Sequence, residues 1–331
     1  MSLYRSAYQH WQGRYLGIWY RRGAIAMNGI RSAWDNKWTR NMVLGAWMLS
    51  IVQAAILFGI GQLLVEDSVI YTLVEQFQPQ LQTLAKGLMS WIVAHPEISV
   101  SSTYSFLFYF FSGWLKFFPL IIIALIIPAL ISRDLSSKAI IVYSSKAVSR
   151  FDYFLGKFMT VFAMLSFAWL LPVCSAWLLG GLLAPDWSFL WHSRMALVKS
   201  MTFIGFSSAF LSLIAMGVSA ISIKEKSATV IWVVMWVLGN VASNIGRHTE
   251  PWLRHLSFNY NLEQLSLKLF HPKTELEQLQ DNIPVIGNLL RGIPTHNMPM
   301  FQEPQFNGAM LTCGIMAFLA ILILHLRVKP E

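Results

Sequence analysis

Phe117-Phe118-Pro119-Leu120-Ile121-Ile122-Ile123-Ala124-Leu125-Ile126-Ile127-Pro128-Ala129-Leu130-Ile131 is a run of fifteen residues without one polar side chain. A helix that is apolar on every side belongs inside a large core or in hydrocarbon. Crossing the ~30 Å hydrocarbon core of a bilayer takes about 20 residues at 1.5 Å each. Fifteen residues cover about 22 Å, and the aromatic stretch from Phe106 to Trp114 extends the run outward. Lys116 then falls at the edge of this span, which reads as about Phe106–Ser132.

Five further segments have the same character: Met42–Val65, Phe158–Leu183, Met201–Ile223, Ala228–Ile245 and Gly308–Leu324. Over the whole chain 55% of residues are hydrophobic and 12% charged, against roughly 25% charged in a soluble domain. Charge is missing from long stretches and not thinned evenly, which marks an integral membrane protein. Residues 1–41 carry seven Lys/Arg and no uninterrupted apolar run, so the first hydrophobic segment is expected to be a retained span and not a cleaved signal. Cys174 and Cys313 both fall inside expected spans, where a structural disulfide is not expected.

Six spans put both termini on one side. That side (1–41, 133–157, 224–227 and 325–331) holds sixteen Lys/Arg and five Asp/Glu; the other (66–116, 184–200 and 246–307) holds nine and eleven. The positive-inside bias therefore predicts cytoplasmic termini. The basic pI of about 9.6 then reflects topology and anionic headgroups. No aromatic-basic nucleic-acid signature accompanies it, and no nucleic-acid partner is expected.

Residues 11–36 place Trp11, Tyr15, Ile18, Trp19, Ile25, Ala26, Gly29, Ile30, Ala33 and Trp34 at three- and four-residue steps, with Arg14, Arg21 and Arg31 on the other face. Arg22 interrupts the stripe. A basic, Trp-rich amphipathic helix suits the headgroup boundary, either as a topology anchor or to position the first span. A second amphipathic helix is expected over Gln80–Ala94 on the outer side. In the outer segment 246–307, Phe258, Leu262, Leu265 and Leu269 share one helical face, with Asn259, Glu263, Gln264 and Lys268 elsewhere. Pro272, Pro284, Pro294 and Pro304 break up the remainder, so a cap over the outer mouth is expected there and not a separate domain.

The basic segment 133–157 reads either as a docking surface for a soluble partner or as a topology signal alone. Within it Ser149 and Asp152 take the N-cap and N3 places of a capping-box variant before the third span. With Lys116 at an edge, the span interiors contain no Asp, Glu, Lys or Arg. Proton-coupled transporters need such groups, so that mode is disfavoured, and His325 reads as interfacial. G-x-x-x-x-G-K-[ST], H-E-x-x-H and G-x-S-x-G are missing. His248 and His255 flank Trp252 without Cys or clustered carboxylates. His296, Met298 and Met300 could hold Cu(I), or simply pack. No catalytic residue, metal site or cofactor is expected on the chain, and the energy source is expected to be a separate ATPase.

Ile131-Ser132-Arg133-Asp134, followed by Ser149-Arg150-Phe151-Asp152-Tyr153-Phe154-Leu155-Gly156-Lys157, resembles the type-2 ABC transporter permeases, membrane subunits of bacterial ABC exporters. There the second span runs into an acidic residue, and an S-R-x-x-(aromatic)-x-x-G-K pattern opens the third. This chain has Asp134 where Glu is more usual and Ser136-Ser137-Lys138 where a Gly-Thr pair is. Ser219-Ala220-Ile221-Ser222 with Lys224, Lys226 and Ala228 is similar to the family's turn between spans four and five. Leu326-Arg327-Val328-Lys329-Pro330-Glu331 is similar to its R-V-[RK]-P-[VL]-E ending, and the helix at 11–36 to its elbow helix. The motifs cover about 50 residues; the layout covers nearly the whole chain.

The resemblance implies an all-α membrane protein of the bacterial inner membrane with six transmembrane helices, an N-terminal amphipathic elbow helix and external amphipathic helices. Residues 1–41 form the cytoplasmic N-terminus, 42–327 the permease domain and 328–331 a cytoplasmic tail. It implies a transport subunit and not an enzyme, in a homodimer or with a related permease, with lipids around it. A cytoplasmic ABC ATPase dimer, carrying ATP-Mg, would dock on segment 133–157. Arg133, Asp134, Lys138 and Arg150 are the candidate contacts, although Asp134 could instead cap the helix it begins. The alternative is a permease-like subunit of an envelope machine, for metalloenzyme maturation or motility, without a soluble export substrate.

Overall fold

The computed structural model describes residues 17–62, 86, 90, 94–137, 149–184, 187–222, 224–282 and 299–328. Most of the helix expected over Gln80–Ala94, and Lys138, His296 and Met298, lie outside these residues. Among the described residues no strand occurs. Six helical runs are long and apolar enough to cross a membrane: Lys37–Gln62, Val100–Ser136, Arg150–Leu182, Leu190–Ile221, Glu225–Ile245 and Phe306–Arg327. Each contains or overlaps an expected segment. The protein is an all-α membrane protein.

Helix α1 (Ile18–Asp35) precedes the first span, α2 (Lys37–Gln62). Asn36 breaks the two apart, and its side-chain oxygen accepts from the Trp38 N–H at the start of α2. The second span is jointed: α3 (Pro96–Leu115), a turn at Lys116, α4 (Phe117–Ile126), a 3₁₀ turn over Ile127–Ala129, and the short α5 (Ser132–Ser136). Both joints have a proline. Pro119 gives no N–H to Leu115, and Pro128 gives none to Ala124. In a bilayer a freed carbonyl must find another donor. Thr229 of the fifth span supplies one, its hydroxyl donating to the Ala124 carbonyl at 2.9 Å. Trp232, one turn on, donates to the Leu120 carbonyl at 3.1 Å.

The third span joins α6 (Arg150–Leu165), a π turn (Ser166–Leu170) and α7 (Leu171–Leu182). Pro172 follows the π turn, and the Trp47 indole N–H donates to the Phe167 carbonyl at 3.0 Å. Ser50 donates to the Pro172 carbonyl. The first and third spans are thus tied twice at the irregular stretch.

The fourth span lies in α8 (Ser188–Ile221) and is the most enclosed of the six. It is eleven residues longer at its start than the apolar run Met201–Ile223 predicts. The polar extension persists because Lys199 reaches Glu275 at 3.1 Å. The fifth span, α9 (Glu225–Ile245), and the sixth, α12 (Phe306–Arg327, numbered after the two cap helices below), are the least enclosed. They present Val230, Val234, Leu238, Leu311, Ile315 and Phe318 outward, the surface a helix offers to lipid or to another helix.

At the end opposite the basic one, a 3₁₀ turn (Pro251–Leu256), α10 (Phe258–Phe270) and α11 (Pro272–Asn282) pack onto the bundle. Phe258, Leu262 and Leu265 are buried as their spacing predicts. Gln264 is buried as well, because its side-chain oxygen accepts from the Gln305 N–H at 2.7 Å. Lys116 stands at the first joint and lines a cavity of about 220 Å³ with Glu263, Tyr109 and Ser266. It falls within the helical run Val100–Ser136 and not at either end of it.

Candidate docking surface at the basic end

At the basic end, the second span closes on α5, and Ser219 of the fourth span sets its position. The Ser219 hydroxyl accepts from the Ile131 and Ser132 N–H groups at 3.0 and 3.1 Å and donates to the Ile127 carbonyl at 2.9 Å. All three of its hydrogen-bonding positions are used. This serine is the first residue of the small-residue turn that the sequence singles out.

From α5 the side chains diverge. Arg133 is half-exposed, and its Nε and one Nη lie 3.3 and 3.2 Å from Glu225 Oε2, at the start of the fifth span. Asp134 turns inward. Its Oδ2 lies 2.7 Å from the Lys157 ammonium and accepts from the Tyr153 hydroxyl at 2.7 Å. It does not start α5: Ile131 holds the N-cap place, and Asp134 sits within the first turn. Of the two roles open in the sequence, contact residue or cap, the geometry gives Asp134 neither an exposed carboxylate nor a cap, but a buried tie between two spans.

The third span begins with the capping box that its sequence predicts. Ser149 Oγ accepts from the Asp152 N–H at 3.1 Å, and Asp152 accepts from the Ser149 N–H at 3.2 Å. The carboxylate of Asp152 has a further partner in Arg22 of α1, whose Nε lies 2.6 Å from Oδ1. The same guanidinium sits over the Trp19 ring at 4.6 Å, a cation–π contact. Arg22, which breaks the apolar stripe of its helix, therefore forms an ion pair that ties that helix to the third span. Reading the stripe alone misses it; a lone Arg on an apolar face was the available signal.

Gly156 has a steric role at the same junction. A Cβ there would stand 2.8 Å from Cβ of Ile25 and 3.2 Å from the Arg22 carbonyl oxygen. One turn on, Gly29 of α1 abuts Thr160, 2.5 Å from where its own Cβ would be. Small residues on both helices thus let the backbones meet.

Sorted by direction, Asp152, Tyr153, Gly156 and Lys157 face the bundle, whereas Arg133 and Arg150 face out. Arg150 makes no ion pair among the described residues. With exposed Ser136, Ser137, Lys224 and Lys226, these two arginines make a basic rim at this end. Lys138, the fourth candidate, lies outside the described residues. Chemically the rim can bind acidic groups. No group of three or more His, Cys, Asp or Glu that could hold a metal occurs among the described residues. His255 is taken up by packing, its Nδ1 2.8 Å from the Asn261 oxygen and its ring against Tyr260. Against known proteins, the sequence matches no protein-family model and no curated protein.

Proposed function

We propose that this chain is the transmembrane permease subunit of an ATP-driven exporter, moved by a separate cytoplasmic ATPase that docks at the basic end. The observation that carries the reading is the convergence of four elements on one short segment. Asp134 binds the second span to the third through Lys157 and Tyr153. Asp152 binds the third to α1 through Arg22, and Arg133 binds the second to the fifth through Glu225. Movement imposed on the rim reaches α1 and the second, third and fifth spans together. Two copies, or this chain and a related permease, then rock about a central path and release substrate outward.

The test is co-purification from native membranes in mild detergent. Arg133→Glu with Arg150→Glu should sharply reduce the amount of ATPase recovered while membrane insertion is unchanged. Arg133→Glu with Glu225→Arg rebuilds the internal ion pair with reversed sense. Continued loss of ATPase in that variant assigns the effect to docking; recovery assigns it to the internal pair and counts against the reading. Stimulation of the recovered ATPase by a lipid or small molecule separates an exporter from an envelope-machine subunit.

A further inference from the structure

Where α1, the start of the first span, the basic end of the second and the start of the third meet, they enclose a cavity of about 270 Å³. Its lining divides in two. One wall is apolar, with Leu125, Ile126 and Leu130 of the second span. The polar part includes Arg133, from the basic end of the same span, with Lys157 and Thr39. Arg133 and Lys157 are cations, and neither carboxylate that holds them, Glu225 or Asp134, lines the cavity. Arg133 commits Nε and one Nη to Glu225, which leaves the other Nη to donate elsewhere.

Thr39 is fully buried, and its hydroxyl has no hydrogen-bond partner. A buried polar group is ordinarily paired, and a threonine inside a helix can bond the carbonyl one turn back. This one does not. Thr39 also belongs to the first turn of a 26-residue helix, whose N-terminus favours an anion. An orphan donor, two cations and a helix N-terminus therefore converge on one space that is backed by an apolar wall. Exposed Lys37 and Arg40 flank Thr39, which sets the cavity at headgroup depth.

We infer that this cavity binds the phosphate of an anionic phospholipid from the leaflet at the basic end. Thr39 Oγ1 and the uncommitted Nη of Arg133 donate to phosphate oxygens, and Lys157 adds charge from the side. The glycerol and the start of the acyl chains lie against Leu125, Ile126 and Leu130. The site goes beyond the transport reading. Its assay does not read ATPase association, so the two stand or fall separately.

The experiment is native mass spectrometry of the full chain, delipidated and titrated with phosphatidylglycerol, phosphatidylethanolamine or inorganic phosphate. Wild type should retain one phosphatidylglycerol in preference to phosphatidylethanolamine. Thr39→Val keeps the shape and removes only the hydroxyl, and should weaken that binding about tenfold, the worth of one charge-assisted hydrogen bond. Arg133→Gln should weaken it at least as much, and Arg327→Gln, an exposed cation at the end of the sixth span outside both the cavity and the rim, should leave it unchanged. Equal losses in Thr39→Val and Arg327→Gln would reduce the effect to diffuse attraction and overturn the site. Unchanged binding in Thr39→Val would overturn it too. Protection by inorganic phosphate as strong as that by lipid would overturn the lipid assignment.

Discussion

Replacing Asp134 with asparagine tests the tie between the second and third spans. The Tyr153 hydroxyl keeps an oxygen to donate to, but Lys157, whose side chain is 10% exposed, loses its carboxylate. Removing one partner of a buried ion pair costs about 3–5 kcal/mol. The lower figure, about 3 kcal/mol, suits a pair near the membrane boundary, where water partly screens the remaining charge. That is a factor of roughly 150 in the unfolding equilibrium. Asp134→Leu with Lys157→Met removes both charges at similar volume and should return most of the loss. About 1 kcal/mol should remain for the hydrogen bond that Tyr153 donates to Asp134. Unfolding in mixed micelles titrated with dodecyl sulfate, followed by tryptophan fluorescence, gives the double-mutant cycle. A coupling of about 2 kcal/mol or more is expected. An asparagine variant within about 0.5 kcal/mol of wild type, or additive losses in the double variant, would refute the buried tie.

Gly156→Ala should cost about 1–3 kcal/mol by overpacking α1, with Ile25→Ala recovering part of it, both read in the same unfolding assay. Thr229→Val should cost about 1 kcal/mol, within the range of interhelical hydrogen bonds in membranes, because the Ala124 carbonyl loses its donor. Pro128→Ala returns a backbone N–H to that carbonyl and should make Thr229→Val nearly neutral; an undiminished cost in the Pro128→Ala background would contradict the assignment. Trp47→Phe should destabilise by about 1–3 kcal/mol by orphaning the Phe167 carbonyl at the π turn, and amide exchange around Phe167 should rise.

The spans were legible because hydropathy needs no partner: Phe117–Ile131 is apolar whichever way it faces. The capping box of Ser149 and Asp152 was legible for a related reason, since both halves lie within one turn. Length and direction were not. The fourth span runs on past its apolar stretch because Lys199 meets Glu275, residues that no local pattern links. Asp134 and Arg133 are neighbours in one basic segment, yet one faces Lys157 and the other Glu225. Only the packing of three helices decides which. Arg22 appeared as an error in an amphipathic stripe until the third span brought Asp152 against it. Gln264 looked like a surface residue because its partner, the Gln305 backbone, lies 41 residues away.

The proposal that a separate ATPase works this bundle from its basic end can be tested by contact in the intact cell. A photo-crosslinking amino acid at exposed Ser137, beside the rim, and another at exposed Trp252, on the cap at the opposite end, report the two ends separately. Position 137 should yield a covalent adduct with a nucleotide-hydrolysing protein, and position 252 should not. Adducts with no ATPase at position 137, or an ATPase captured equally at both ends, would contradict the reading.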